Sequence, residues 1–140
     1  MNIINIGLHG ASGRMGTAVA EAIAKQSDKF VLVTKFSKQH NQDKLFNFCF
    51  PADIIIDFST PDALENLLKI STEVGKKLVI GTTGLSSAHI KEIEKASKSI
   101  AILYSPNMSI GANLIIEMAG RISRILEDYD VEIIDIHHKH

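Results

Sequence analysis

Three regularly spaced glycines constrain the fold of this chain more than any other feature. Gly10, Gly13 and Gly16 follow the apolar run IINIGL and lead directly into a segment with helical periodicity. In a strand–turn–helix unit, the first glycine permits a tight turn, the second lets a diphosphate approach the backbone, and the third lets the helix pack closely on the strand. Ser12 stands where the commoner fingerprint has its second glycine. The spacing indicates a dinucleotide-binding turn, with the amides and positive dipole end of a helix near Arg14 facing the anion; the alternative is a tight turn that binds nothing.

Short apolar runs alternate with longer amphipathic segments along the rest of the chain. Near-continuous Ile, Val and Leu is typical of strands that helices cover on both faces. Ser59 or Thr60 is expected to cap the second helix ahead of Pro61. Residues 37–52 are polar and show no helical period, so we expect a loop with at most a short strand there. We predict strands at residues 3–8, 30–36, 53–59, 77–83, 100–105 and 131–137, and helices at 14–26, 61–74, 86–97 and 111–127.

This alternation predicts an α/β fold of the Rossmann type, with a doubly wound, mostly parallel sheet. A chain of 140 residues with 45% hydrophobic content is expected to form one compact core. A formal net charge of −1 provides no overall field to attract nucleic acid or an anionic membrane. The single Cys49 is expected to be buried and reduced, and no run approaches the ~20 apolar residues of a membrane span. We therefore expect a cytoplasmic protein that binds neither nucleic acid nor a membrane.

Three further loops follow predicted strands and are rich in small or hydroxyl side chains. They read DFSTP at 57–61, GTTG at 81–84 and SPNMS at 105–109. Because the carboxyl ends of parallel strands meet at one edge of a sheet, these loops are expected to converge on the cofactor. Gly81 and Thr82 would permit close backbone approach there. For any one of these loops considered alone, the alternative is an ordinary turn that only caps a helix.

The end of the second predicted strand bears on which dinucleotide fits. NAD-selective sites usually place an acidic side chain there to accept hydrogen bonds from the ribose hydroxyls. This chain instead reads VTKFSK, so Lys35 or Lys38, with Arg14 as a further candidate, could neutralise the 2′-phosphate of NADP. The alternative is that both lysines are ordinary solvent-exposed side chains that bind no phosphate. We expect NADPH or NADH as the cofactor and favour NADPH.

Five motifs occur in series along nearly the whole chain: GASGRMG, DFSTPDA, VIGTTG, SPNMSIGAN and EIIDIHHKH. In this order and at this spacing they resemble the dihydrodipicolinate reductase family. The resemblance implies an NADPH- or NADH-dependent oxidoreductase that reduces the cyclic dehydration product of 4-hydroxy-tetrahydrodipicolinate, in diaminopimelate and lysine biosynthesis. It also implies a cytoplasmic homotetramer that binds a small dicarboxylate substrate.

The same resemblance assigns roles to the residues of the matched motifs. His137 becomes the proposed catalytic acid and His138 a ligand of a substrate carboxylate. Hydride delivery to a conjugated imine must be matched by a proton, which a histidine titrating near neutrality is suited to supply. Neighbouring residues on a strand point to opposite faces, which favours separate roles for the two histidines. Cofactor contacts are assigned to Gly10, Ala11, Ser12, Gly13, Arg14, Met15, Gly81, Thr82, Thr83, Ser105, Pro106, Asn107 and Met108.

The chain departs from the family motif at its C-terminal end. The motif continues to a lysine and a D-A-P-S-G-T-like segment, whereas this sequence stops at His140. We expect residues 1–128 to form the dinucleotide-binding domain and 129–140 to begin a substrate-binding and oligomerisation domain that is largely absent. The chain alone is then expected to bind cofactor without efficient catalysis. A non-catalytic NAD(P)-binding regulatory module is the alternative function.

Two other kinds of site fit the residues poorly. A short-chain dehydrogenase needs a Tyr-x-x-x-Lys pair, and neither Tyr104 nor Tyr129 has a lysine four residues further on. His138 and His140 would share one face of a strand, but no cysteine or carboxylate neighbour completes a metal-ligand set. We therefore expect no metal site.

Overall fold

The computed structural model of the protein describes residues 2–37, 42–134 and 136. The chain divides into two compact units, Met1–Pro106 and Asn107–His140. The first unit contains five strands: β1 (Ile4–His9), β2 (Phe30–Phe36), β3 (Ile54–Asp57), β4 (Lys77–Ile80) and β5 (Ile102–Tyr104). It also contains four helices: α1 (Arg14–Ala24), α2 (Gln42–Cys49), α3 (Pro61–Glu73) and α4 (Ser87–Ala96). The second unit contains α5 (Ile110–Ile125).

The five strands form one parallel sheet in the order β2-β1-β3-β4-β5. The predicted α/β doubly wound fold of the Rossmann type is confirmed. Strand order reverses between β1 and β3, because β2 lies on one side of β1 while β3, β4 and β5 follow on the other. In open α/β sheets the crevice at such a switch point, beyond the carboxyl ends of the strands, is where ligands bind.

The main core lies where α2, α3 and α4 pack on the sheet. Fully buried side chains from strands and helices meet there, including Ile55, Leu64, Leu67 and Leu78. The interior strand β1 is buried without interruption over its last four residues, as expected for a strand covered on both faces. Cys49 lies in this core with no exposed surface, as predicted.

The predicted helices are present with slightly different ends. Thr60 is the N-cap of α3 and Pro61 occupies its first turn, as predicted. Ser86 caps α4 by accepting a hydrogen bond from the backbone of His89 at 3.4 Å. Ser109 caps α5 in the same way, accepting from Ala112 N at 3.3 Å.

The prediction of a loop at residues 37–52 was wrong, because this stretch contains α2. Leu45, Phe48 and Cys49 are all buried in the core. Their spacing of three and four residues is the apolar stripe of an amphipathic helix. The polar residues before Leu45 obscured that short stripe in the sequence.

The predicted strand at 131–137 was also wrong over its described part. Residues 131–134 and 136 have no regular secondary structure. A strand needs a neighbour to supply its backbone hydrogen bonds, and no strand of the described sheet pairs with these residues. Residues 135 and 137 lie outside the described part of the chain.

Within the described ranges, none of the helices has the length and apolar character needed to cross a membrane.

Candidate functional site

A cavity of about 280 Å³ opens at the switch point of the sheet. Its walls come from the ends of three adjacent strands and from the first turn of α3. The glycine-rich loop supplies Gly10, Ser12 and Gly13, and the residues after β3 supply Phe58, Ser59 and Thr60. The remaining lining residues are His9, Phe36, Ser37 and Ala63. The predicted glycine-rich turn and the DFSTP loop therefore meet at one cavity.

Gly10 occupies a position that only glycine can fill. Its φ is +78°, and a Cβ there would lie 2.3 Å from the backbone oxygen of Phe58. The loop is fastened to β2, because the amides of Gly10 and Ala11 both donate to Phe36 O, at 2.9 and 3.2 Å. Backbone contact on both sides therefore sets the path of the turn, as the glycine spacing predicted.

Gly13 stands at the N-cap of α1 and leaves the start of that helix open. Glycine has no side chain with which to form a capping hydrogen bond. A Cβ on Gly13 would approach only Gly10 O, at 3.3 Å, so the folded chain has nearly enough room for a side chain. The first amides of a helix and its positive dipole end attract anions. An uncapped start beside the cavity is therefore suited to a phosphate group.

Gly16 has a different structural reason from the one the sequence suggested. A Cβ there would lie 2.2 Å from Gly10 O and 2.8 Å from Ala11 Cα. The close approach is between α1 and the backbone of its own preceding loop, whereas we had expected contact with the strand. Gly16 thus maintains the shape of the turn.

A buried polar network joins the ends of three neighbouring strands beneath the cavity. His9 ends β1 and Asp57 ends β3, and the two residues are partners in the parallel register. The ring N–H at His9 Nδ1 donates to Asp57 Oδ1 at 2.7 Å. Thr82, just after β4, donates from Oγ1 to Asp57 Oδ2, also at 2.7 Å. All three residues are buried, and the Asp57 carboxylate has no exposed surface.

This network gives His9 a fixed orientation at the cavity wall. The ring packs against both Phe36 and Phe48, with centroid distances of 5.4 and 6.0 Å. Nδ1 is engaged by Asp57, so Nε2 is the ring atom left to meet a bound molecule. Sequence reasoning missed both His9 and Asp57 as site residues. The available signal was a polar residue at the end of each of two apolar strands, INIGLH and IIID.

The GTTG loop packs its small residues closely against the end of β3 and the residues that follow it. A Cβ on Gly81 would lie 2.2 Å from the Phe58 ring, so that ring fills the space beside Gly81. Thr82 directs its hydroxyl to Asp57, whereas Thr83 is exposed. The loop is therefore packed against the residues that follow β3, which form part of the cavity wall.

The SPNMS residues are split between the two units. Ser105 and Pro106 end the first unit, and the Ser105 amide donates to Ile80 O at 3.1 Å. Asn107 begins the second unit, where its Oδ1 accepts from Ser109 N at 2.9 Å. This side-chain turn leads into α5. Met108 is exposed.

The remaining predicted residues fall into two groups. Ser12, Arg14, Met15 and Lys35 are all exposed, and Ser12 N donates to Ser37 Oγ at 3.1 Å. Lys38, His137, His138 and His140 lie outside the described residues. Among the residues that the structure does describe, no group of three or more His, Cys, Asp or Glu side chains is arranged to hold a metal ion.

Comparison with known proteins places the chain in a family. Residues 4–108 match the family described as dihydrodipicolinate reductase, N-terminus. The chain is 49% identical over 137 residues to a 4-hydroxy-tetrahydrodipicolinate reductase of Rickettsia rickettsii (strain Sheila Smith), covering 98% of this chain and 57% of the relative. It is 40% identical to the protein of that name from Campylobacter lari, covering 97% of this chain and 54% of the relative. The chain therefore spans little more than half the length of these relatives.

Solved structures show the same fold at low sequence identity. A dipicolinate-bound dihydrodipicolinate reductase from Paenisporosarcina sp. TG-14 superposes with a TM-score of 0.73 at 18% identity, over 87% of this chain and 54% of that one. A homoserine dehydrogenase of S. aureus superposes with a TM-score of 0.64 at 16% identity, over 75% of this chain and 32% of that one. Both likenesses concern the architecture of the sheet and its helices.

Proposed function

We infer that this chain, which belongs to the dihydrodipicolinate reductase family, is the dinucleotide-binding part of an NAD(P)H-dependent reductase. The proposed reaction of the complete protein is reduction of the dehydrated form of 4-hydroxy-tetrahydrodipicolinate to tetrahydrodipicolinate, in diaminopimelate and lysine biosynthesis. The observation that carries the proposal is the switch-point cavity with its open helix start. Family membership supplies the class of reaction.

The residues around the cavity fit a dinucleotide. Gly10 allows the tight turn, and Gly13 leaves room in which a diphosphate could approach the backbone. The lining combines aromatic and hydroxyl side chains with backbone amides, and none of the lining residues that the structure describes is acidic. The cofactor would supply the hydride. The chain would bind and orient it through the loop from Gly10 to Met15, with further contacts proposed from 81–83 and 105–108.

NADPH is the cofactor we favour. Lys35 is the next-to-last residue of β2, and no acidic residue occupies that strand end. Its ammonium group would neutralise a 2′-phosphate on the adenosine ribose, whereas a carboxylate there would favour unphosphorylated NADH. Arg14, exposed in the first turn of α1, is a further candidate for the same charge.

The proposed roles in substrate binding and proton transfer rest on the resemblance of the EIIDIHHKH motif to the family. His137 would donate the proton that accompanies hydride transfer, and His138 would bind a substrate carboxylate. Residues 129–140 would begin the substrate-binding domain of the complete protein, which we propose to be a cytoplasmic homotetramer. A histidine is suited to this proton transfer because its ordinary pKa lies close to neutral pH.

Cofactor binding is tested with Gly13→Val in this chain. Because the folded loop has nearly enough room at Gly13, the substitution should leave the fold mostly intact while a side chain obstructs the diphosphate. Affinity for NADPH, measured by cofactor fluorescence, should fall at least about tenfold. That change corresponds to the binding free energy of about one hydrogen bond to a charged group. Circular dichroism serves as the folding control. An unchanged affinity in a folded variant would remove the glycine-rich loop from the proposal.

Catalysis is tested by comparing this chain with the full-length protein in an NADPH-oxidation assay. The short chain should bind cofactor and show negligible turnover, because catalysis requires the reacting carbon to be held close to the nicotinamide. In the full-length protein, His137→Ala should lower kcat by about 10²–10⁴, the range for a positioned acid. His138→Ala should mainly raise KM. If the full-length protein binds dinucleotide but does not turn over the substrate, the proposed activity is wrong and a regulatory dinucleotide-binding module replaces it.

A further inference from the structure

The His9 side chain is buried at the wall of the switch-point cavity, yet one of its ring nitrogens is left without a protein partner. Only 5% of the side chain is exposed. Nδ1 is bound to the Asp57 carboxylate at 2.7 Å, and the ring makes no other hydrogen bond within the described part of the chain. Among the described residues, no fully buried side-chain nitrogen or oxygen lacks a hydrogen-bond partner. Nε2 is therefore still accessible, through the cavity that His9 lines.

The surroundings of the ring hold it in this orientation. The Asp57 carboxylate has no exposed surface and also accepts from the Thr82 hydroxyl at 2.7 Å. The ring contacts Phe36 and Phe48, with centroid distances of 5.4 and 6.0 Å. Turning the ring would break the hydrogen bond at Nδ1 and leave a buried carboxylate oxygen without its donor. Nε2 is thus a preformed polar atom at the cavity wall.

The bond to Asp57 also determines what Nε2 can bind. Because Nδ1 carries the proton that is donated to the carboxylate, Nε2 of the neutral ring has the free lone pair and is an acceptor. An acceptor does not suit a phosphate oxygen, whereas the open start of α1 at Gly13 does. On a dinucleotide, the groups that donate hydrogen bonds are the ribose hydroxyls and the amides or amines of the bases.

The position of His9 favours a ribose hydroxyl among these donors. His9 directly precedes Gly10, so it lies next to the turn proposed to hold the diphosphate, and the riboses are the groups bonded to the diphosphate. The same cavity reaches Phe36 and Ser37 at the end of β2. Rossmann folds bind the adenosine ribose at that strand end. In NADPH the 2′ oxygen of this ribose carries the phosphate, which leaves the 3′-hydroxyl as the donor.

We propose that His9 Nε2 accepts a hydrogen bond from the 3′-hydroxyl of the adenosine ribose when a dinucleotide binds. This inference rests on the proposed dinucleotide function and adds a binding residue at the end of β1. The residues that end β2, Lys35 and Phe36, include no carboxylate to accept from the ribose. A neutral imidazole on the neighbouring strand supplies an acceptor there without adding negative charge to the cavity.

The test combines His9→Asn with ADP that lacks one ribose hydroxyl. The asparagine amide can take the place of Nδ1 and donate to Asp57, but it has no atom in the place of Nε2. The whole chain is titrated calorimetrically with ADP, 3′-deoxy-ADP and 2′-deoxy-ADP. Wild type should bind 3′-deoxy-ADP about three- to tenfold more weakly than ADP, the range for one hydrogen bond between neutral groups. His9→Asn should weaken ADP by a similar factor and remove the preference for the 3′-hydroxyl. Any effect of the 2′-hydroxyl should be the same in both proteins.

Two further variants separate this contact from a purely structural role of His9. The longer amide of His9→Gln reaches the place of Nε2, so this variant should keep the preference for the 3′-hydroxyl although it loses the bond to Asp57. His89→Asn is the matched control on α4, where the ring accepts from Ser86 N and does not line the cavity. It should leave the affinity for ADP unchanged. Circular dichroism checks that each variant is folded.

The outcomes distinguish this inference from the proposed function. If wild type binds ADP and 3′-deoxy-ADP equally, the contact does not exist, whatever the variants show. If the losses caused by His9→Asn and by 3′-deoxy-ADP are additive, the hydroxyl has another partner and the role of Nε2 is likewise overturned. Both results leave dinucleotide binding in place. A wild-type chain that binds neither ADP nor NADPH would refute the proposed function itself.

Discussion

Replacing Asp57 by alanine removes the acceptor on which two buried donors depend. His9 Nδ1 and Thr82 Oγ1 both donate to this carboxylate at 2.7 Å. Only 4% of His9 and 3% of Thr82 is exposed, so solvent cannot readily replace the lost acceptor. The substitution therefore leaves two polar groups unpaired in the interior.

The magnitude follows from the cost of each unpaired group. A buried donor without an acceptor costs about 1–3 kcal/mol, so Asp57→Ala should lower the free energy of unfolding by about 2–6 kcal/mol. Whole domains are stable by only about 5–15 kcal/mol. The loss should accordingly be large enough to shift the urea midpoint clearly, with the slope of the transition unchanged. Far-ultraviolet circular dichroism is the readout, since the chain contains no tryptophan.

A double-mutant cycle shows whether the network is the cause. Thr82→Val deletes one donor and leaves Asp57 Oδ2 without it, which should cost about 1–3 kcal/mol. When Asp57 is already alanine, the same change removes an unpaired hydroxyl and should cost much less. The two substitutions should therefore be non-additive by about 1 kcal/mol or more.

Asp53→Ala is the matched control just before the same strand. Asp53 is exposed and accepts one hydrogen bond, from Asn5 N at 2.8 Å. Its removal should cost no more than about 1 kcal/mol. If Asp57→Ala costs as little as Asp53→Ala, or if the cycle with Thr82→Val is additive, the buried network does not stabilise the strand ends as argued.

Three further outcomes are expected. Gly16→Ala should destabilise the chain by about 1–3 kcal/mol in thermal denaturation, as overpacking does, because its Cβ would lie 2.2 Å from Gly10 O; a neutral effect would contradict that contact. Gly111→Ala should instead stabilise α5 by about 0.5–1 kcal/mol, since nothing in the described part of the chain lies within 4 Å of the added Cβ. Burial raises the pKa of the Cys49 thiol from 9.0 to about 11, so the unfolded chain loses this proton first and stability should fall as pH rises from about 9 towards 11. Urea titrations across that window should show a flatter profile for Cys49→Ala, and identical profiles would refute the shift.

Local patterns in the sequence determined much of the architecture. The apolar runs marked all five strands of the sheet, and the glycine spacing after β1 located the turn that lines the switch-point cavity. Thr60 and Pro61 marked the start of α3. These features could be predicted because strand periodicity, capping and tight turns depend on residues that are neighbours in the chain.

Only the tertiary structure decided which distant side chains meet. His9 and Asp57 are 48 residues apart, and the register of β1 with β3 brings them together. The burial of Leu45 and Phe48 was likewise needed to reveal α2. Strand register and helix docking are set by the packing of the whole core. These contacts therefore cannot be inferred from a short stretch of sequence.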